Sequence, residues 1–163
     1  MTVRLAKIVL LACYGLLMAL IAFGNVTDYG SNLPFVRHVL AMDTTFGSPG
    51  VMWRAIDDPT IQTIAYLAII ATETAAAVVI WWGIVRLLRA RRAPAAVFRQ
   101  AKNVAIAGVT LSLAIWLGGF LAIGGEWFAM WQSDTWNGAE SAGRFLLAGG
   151  IVLLFLNQPD PDL

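Results

Sequence analysis

A single carboxylic acid lies inside a long apolar stretch of the sequence. Glu73 is near the middle of a run from about Pro59 to Leu88, and a bilayer-spanning helix needs about 20 such residues. A carboxylate at mid-bilayer costs several kcal/mol unless it is paired or protonated, so such residues are functional candidates. Two hypotheses follow for Glu73, a buried structural hydrogen bond or a proton- or ion-linked role.

Three side chains in later apolar segments are candidate partners for Glu73 within the membrane. Arg144 has a side chain long enough to reach inward, although the rise of a helix leaves a gap of several Å between the two backbone levels. Ser112 and Thr110 are closer in depth and can hydrogen-bond a protonated Glu73.

A second group of chemically capable residues lies in the two connections that carry little basic charge. Tryptophan prefers the membrane interface, so an aromatic anchor is one hypothesis, and an aromatic-lined pocket is the other. The spacing of four residues between Trp127 and Trp131 predicts a shared helix face. The candidate pocket residues are Asp28, Arg37, His38, Glu126, Trp127, Trp131 and Gln132.

The residues that commonly bind metals and cofactors are few. His38 and Met42 are one helical turn apart, so they cannot be opposite axial ligands of one haem. A weak copper site with Met52 or Met130 is an alternative to a hydrogen-bonded interface histidine. The single cysteine, Cys13, excludes an intrachain disulfide and a thiolate-rich metal site. We therefore predict no metal and no cofactor.

Common enzyme signatures are absent from the sequence, which contains no GxSxG, HExxH or CxxC motif and no phosphate-binding glycine loop. The net charge of +1 gives no basic field for nucleic acid. These observations favour a protein without catalytic activity. The predicted partners are the lipid bilayer and either a larger membrane complex or further copies of the chain.

The elements that must position these residues are helices, because four apolar segments have membrane-spanning length. The chain is 59% hydrophobic and 13% charged, against about 25% charged in soluble domains. Backbone groups in lipid must be satisfied internally, which requires helices here. We predict an all-α fold, a four-helix transmembrane bundle forming one domain over residues 1–163. The segments run from about Ile8 to Phe23, Pro59 to Leu88, Val104 to Ile123 (or to Trp131) and Gly138 to Leu156.

Helix boundaries and a cap are also predicted. Asp58 before Pro59 is typical of a helix start, and Asn137 with Glu140 fits a capping box. An amphipathic stretch, with Phe35, Val36, Val39 and Leu40 on one face, predicts a short helix lying over the bundle. A second short helix is expected from Pro49 to Ile56.

Basic residues are concentrated at one end of the predicted bundle. By the positive-inside rule this end is cytoplasmic, which places both termini inside and the cap of short interfacial helices in the periplasm. We predict a multi-pass protein of the bacterial inner membrane. The acidic tail with Asp160 and Asp162 counts little in this rule. The basic residues are Arg4, Lys7, Arg86, Arg89, Arg91, Arg92, Arg99 and Lys102.

A resemblance to a known family is carried by segments 25–32, 35–46, 53–56, 125–133 and 136–138. Together these segments resemble a bacterial family of predicted small integral membrane proteins of unknown function. The resemblance covers nearly the whole chain. It implies a four-helix membrane protein and supplies neither an activity nor catalytic residues.

Three functional hypotheses remain. The first is a non-enzymatic accessory or interaction subunit, which fits a small chain with an elaborate outer surface. The second is a proton- or ion-linked small transporter or channel subunit centred on Glu73. The third is an enzyme acting on a lipid or a quinone at the outer interface.

Overall fold

The structure is a computed structural model that describes residues 1–160. All of the long secondary-structure elements in this range are helices. The membrane-length helix that begins with α4 changes from α-helical to π-helical winding part of the way along. Short 3₁₀ turns lie at Met52–Arg54 and Met130–Gln132. The helices are α1 (Thr2–Thr27), α2 (Tyr29–Ala41), α3 (Pro59–Ala90), α4 (Ala95–Ala114) with its π-helical continuation (Ile115–Trp127), and α5 (Ala139–Asn157).

Four of these helices are long and apolar enough to cross a membrane, namely α1, α3, α4 with the π-helical segment, and α5. Trp81 and Trp82 are exposed near one end of α3, the end that carries the basic connection to α4. Exposed Trp53, Trp127 and Trp131 lie toward the opposite end. Tryptophan near both ends of a bundle is typical of a membrane span. The prediction of an all-α four-helix bundle is confirmed. We name the two ends the basic end and the aromatic end.

The core of the bundle depends on close contact between α3 and α4. A Cβ atom placed on Gly83 would lie 2.6 Å from the Cα atom of Ala105, and one on Gly108 would lie 2.7 Å from the backbone nitrogen of Ile80. Both distances are shorter than real Cβ contacts, so glycine is required for the two backbones to meet.

The carboxyl-terminal tail is fastened to the bundle at the basic end. The Nζ atom of Lys7 lies 2.8 Å from Oδ1 of Asp160, and the Nζ atom of Lys102 lies 2.6 Å from Oδ2. Both ammonium groups also donate to the carbonyl oxygen of Gln158. Both lysines are buried, and pairing with Asp160 offsets part of the cost of burying their charges. Asp162, the other acid of the predicted tail, lies outside the residues that the structure describes.

The cap at the aromatic end has its own apolar cluster. Val39 and Met42 of the α2 region pack with Phe128, Ala129 and Met130, which directly follow the π-helical segment. Helix α2 agrees with the predicted amphipathic helix. The second cap helix is shorter than predicted, a three-residue 3₁₀ turn instead of a helix over 49–56. The backbone N–H of Ile56 donates to the carbonyl of Leu40 in α2, which ends the turn early.

The two predicted helix starts have different outcomes. Asp58 caps α3 as expected, because its Oδ1 accepts from the N–H groups of Thr60 and Ile61, and these bonds lower the pKa of its carboxyl. At α5 the side chain of Asn137 accepts from the N–H of Ala139. Glu140 pairs with Arg144 instead of returning to the helix start, so the predicted capping box is wrong.

The third membrane helix begins earlier than predicted, at Ala95, and its apolar half is π-helical. The prediction that Trp127 and Trp131 share a helix face is wrong. Ala129 between them adopts a left-handed backbone, with φ of 52°, and ends the helix there.

Candidate functional site

A cavity of about 410 Å³ extends from the aromatic end toward the middle of the bundle. It lies between α1, α2, α3, the π-helical segment and α5, and we call it the polar cavity. Its volume is in the range of small-molecule sites. Its polar lining comes from Asn25, Ser31, Asn32, Tyr66, Glu73, Thr135, Asn137 and Ser141.

Glu73 forms the deep end of the polar cavity and is only 1% exposed. It lies about 21 Å along α3 from Pro59, at 1.5 Å per residue. The side-chain amide of Asn25 donates to its Oε2 at 2.7 Å. Within residues 1–160, no lysine, arginine or histidine forms an ion pair with Glu73. An ionised carboxylate at this depth therefore has a hydrogen bond but no protein counter-charge.

The orientation of the Asn25 amide is fixed by a neighbouring tyrosine. The hydroxyl of Tyr66 donates to the backbone carbonyl of Asn25 at 3.1 Å and lies 3.4 Å from its Oδ1. An amide oxygen only accepts, so this contact directs the NH₂ group toward Glu73. The ring of Tyr29 packs on Tyr66 with centroids 4.8 Å apart. Glu73 is thus the last member of a chain of hydrogen bonds that runs from Tyr66 through Asn25.

The predicted partners of Glu73 make other contacts. Arg144 pairs with Glu140 on the exposed surface of α5. The hydroxyl of Ser112 donates to the carbonyl of Val109 and lies 2.8 Å from the hydroxyl of Tyr14. Thr110 is exposed on the bundle surface.

Sequence reasoning missed Asn25 because it ended the first helix near Phe23. In the structure α1 continues to Thr27, which places Asn25 on the helix beside α3. Asn25 can be identified from the sequence as a polar residue at the edge of an apolar run. It lies one helical turn beyond Ile21, which packs against the core.

Aromatic rings form one wall of the polar cavity. Trp116 lies 4.6 Å from Phe145 and 4.9 Å from Phe120, between ring centroids. Phe35 continues the row, 6.2 Å from Phe120 and 6.4 Å from Trp136. These spacings are those of interacting aromatic pairs. The polar cavity is therefore lined by the carboxyl group of Glu73 together with several aromatic ring faces.

A second cavity of about 310 Å³ adjoins the first and is almost wholly apolar. We call it the apolar cavity. It lies between α2, α3 and the π-helical segment. Four residues line both cavities: Phe35, Val36, Ile69 and Phe120.

The predicted outer pocket residues occupy separate contacts, and none of the seven lines either cavity. The carboxylate of Asp28 accepts from Ser31 at the junction of α1 and α2. His38 hydrogen-bonds Asp43 at 2.8 Å and stacks on Trp136 at 4.7 Å. Arg37 and Glu126 are exposed.

The remaining three members contact the loop that follows α2. Trp127 packs edge-on against Trp53, and the guanidinium of Arg54 lies 4.7 Å from the centroid of a Trp127 ring. Trp131 packs edge-on against Phe46, whose backbone N–H donates to Gln132. These contacts hold the loop across the aromatic end, which fits an interfacial anchor.

The candidate copper ligands are directed into different surroundings. Met42 is buried in the cap cluster, whereas His38 faces Asp43. The Met130 sulfur accepts from the N–H of Gly138, and that of Met52 accepts from the Thr45 hydroxyl. Across residues 1–160, no group of three or more histidine, cysteine or acidic side chains is placed to hold a metal ion.

Comparison with known proteins gives one result that covers almost the entire chain. The family described as "Predicted small integral membrane protein (DUF2165)" matches residues 3–159. No curated protein and no solved structure matches the chain.

Proposed function

The chain belongs to this family of predicted small integral membrane proteins, and we propose that it is a proton- or cation-linked transporter or channel subunit centred on Glu73. One observation supports the proposal above others. Glu73 is buried at the end of a polar cavity, hydrogen-bonded by Asn25 but without a counter-charge from any residue in 1–160. A proton or an entering cation supplies that charge.

The surroundings of Glu73 favour exchange at this site. The polar cavity reaches it from the aromatic end. On the other side, the way to the basic end is closed by buried Met18, Ile80, Ile84 and Leu87. The site is therefore open to one side of the membrane, which is the arrangement that alternating access requires in one of its states.

Proton flux into liposomes that contain the purified protein tests this function. A pH-sensitive dye inside the vesicles reports acidification after an external pH step. We expect Glu73→Gln to remove the protein-dependent flux, because the amide keeps the side-chain volume but cannot exchange a proton. Glu140→Gln is the matched control, since Glu140 is exposed on α5 and lines neither cavity. Equal flux in wild type and Glu73→Gln would reject the proposal.

The exposed aromatic surface supports a second candidate, an accessory subunit that binds a larger membrane protein. Phe46 is 73% exposed and Trp53 is 69% exposed, although both lie on a loop fixed by packing and hydrogen bonds. Purification in a mild detergent tests it. A stoichiometric membrane partner that is lost in Phe46→Ser/Trp53→Ser, but retained in Glu73→Gln, is the expected result. Recovery of the chain alone would reject it.

We further propose that the protein lies in a bacterial inner membrane, with its basic end in the cytoplasm and its aromatic end in the periplasm. The concentration of arginine and lysine in the last turns of α3, in the connection to α4 and in the first turns of α4 supports this orientation. Single cysteines in a Cys13→Ser background test it. A membrane-impermeant maleimide should label Ser48→Cys but not Gln100→Cys in intact spheroplasts, and the reverse pattern would overturn the orientation.

A further inference from the structure

A proton or an inorganic ion at Glu73 would occupy only the polar cavity and would leave the apolar cavity empty. It adjoins the polar cavity and shares Phe35, Val36, Ile69 and Phe120 with it. A ligand that fills both spaces must therefore be polar at one end and apolar at the other.

The polar cavity favours a positive charge at the polar end of the ligand. Among residues 1–160, Glu73 is the only carboxylate that lines it, and none of the lining residues in this range is a lysine, an arginine or a histidine. The rings of Trp116, Phe120 and Phe145 are adjacent in its wall. Aromatic faces attract cations, most strongly where water is excluded, and a carboxylate adds a full charge. An anionic head would meet repulsion from Glu73 with no basic residue to offset it.

The apolar cavity fits a hydrocarbon group and is reached from the side of the bundle. Its lining is almost entirely carbon, from residues such as Val39, Ile115 and Phe128. Ala68 of α3 and Gly119 and Ile123 of the π-helical segment line it and are themselves exposed on the membrane-spanning surface. A tail can therefore enter between α3 and the π-helical segment from within the lipid.

We propose that the ligand is an organic cation with an alkyl or similar apolar tail. Its ammonium group lies at Glu73, and its tail extends past Phe35 and Phe120, which line both cavities, into the apolar cavity. This assignment rests on the proposed function, because it takes Glu73 as the exchange site and names the class of cation that displaces the proton.

Calorimetry with three probes tests the two halves of the ligand separately. Octyltrimethylammonium carries both charge and tail, tetramethylammonium carries charge alone, and octanol carries a tail without charge. Each is titrated into the full chain in nanodiscs, with the heat from empty nanodiscs subtracted. We expect saturable binding of octyltrimethylammonium, at least tenfold weaker binding of tetramethylammonium, and no saturable binding of octanol. A buried methylene strengthens binding about fourfold, so hexyl and octyl probes should differ by about an order of magnitude.

Two pairs of variants locate the site. Glu73→Gln should abolish binding of both ammonium probes, whereas the exposed Glu140→Gln should bind them normally. Gly119→Leu should narrow the apolar cavity, because Gly119 lines it and a Cβ atom there meets nothing within 4 Å. It should weaken octyltrimethylammonium at least tenfold and leave tetramethylammonium unchanged. Gly118→Leu is its control, being equally unobstructed but outside the cavity lining.

The outcomes separate this inference from the proposed function. Glu73-dependent proton flux without binding of octyltrimethylammonium would keep the function and overturn the ligand class. Octanol binding as tightly as the octyl cation would also overturn it, in favour of a neutral head such as a quinone or a lipid alcohol. Unchanged binding in Gly119→Leu would reject the apolar cavity as the site of the tail. If the wild-type protein showed neither proton flux nor cation binding, both proposals would be rejected.

Discussion

The side-chain amide of Asn25 donates a hydrogen bond of 2.7 Å to the carboxyl of Glu73, and so joins the last turns of α1 to the middle of α3. Glu73 is buried at the deep end of the polar cavity, and Asn25 is half-buried in the lining of the same cavity. The contact therefore links the packing of α1 and α3 to the state of the Glu73 carboxyl.

Removing only one partner of this hydrogen bond should lower the free energy of unfolding more than removing both partners. Asn25→Leu leaves the carboxyl of Glu73 buried without a donor, which should lower the free energy of unfolding by about 1–3 kcal/mol. Asn25→Leu/Glu73→Leu removes both polar groups and should recover most of that loss. Unfolding in mixed micelles by increasing SDS measures both values. A double variant less stable than Asn25→Leu would contradict the expected coupling.

The tail contact at the basic end should contribute strongly to stability. Asp160→Asn leaves the buried ammonium groups of Lys7 and Lys102 without their carboxylate, so we expect a loss of about 3 kcal/mol. Carboxypeptidase should then remove the tail much faster. Asp134→Asn is the control, because Asp134 is exposed at the other end of the bundle. Equal digestion of the two variants would show that the tail is held by other means.

The same contact should respond to acid. Burial on its own raises the pKa of the Asp160 carboxyl, but hydrogen bonds and charge from Lys102 and Lys7 outweigh it, and the pKa lies below its usual value. A lowered pKa in the folded state gives stability that is complete above the unfolded value of about 3.9 and is lost as the pH falls through the folded pKa. Protection of the Gln158 amide, measured as its exchange rate relative to the intrinsic rate at the same pH, should thus fall only below about pH 4. Asp160→Asn should show low protection at every pH.

Glycine at the contact between α3 and α4 should be essential for tight packing. The added methyl group in Gly83→Ala meets the backbone of Ala105, which cannot rotate away, so we expect a loss of about 1–3 kcal/mol. Gly150→Ala is the control, because nothing lies within 4 Å of its Cβ position. Stability is measured by SDS unfolding as above. A Gly83→Ala protein as stable as Gly150→Ala would mean that the helices are further apart than described.

The fold was predictable because membrane helices depend on apolar length and on boundary residues, which a sequence displays directly. Asp58 and Pro59 mark the start of α3 for that reason. The partner of Glu73 was not predictable in the same way. The identity of that partner depended on where α1 ends and on how the helices are rotated about their axes. Arg144 pairs instead with Glu140, an acid one turn away on its own helix. The π-helical winding likewise leaves no simple periodic signal in an apolar, glycine-containing segment.

The backbone contacts at Gly83 and Gly108 limit how this protein can change shape. Helices that interlock this closely slide or rotate past each other only by losing their packing, so α3 and α4 should travel as one rigid body. Glu73 lies in α3 and is therefore part of this rigid body. A change that exposed the carboxylate to the other membrane face would therefore move α1, α2 and α5 relative to this pair of helices.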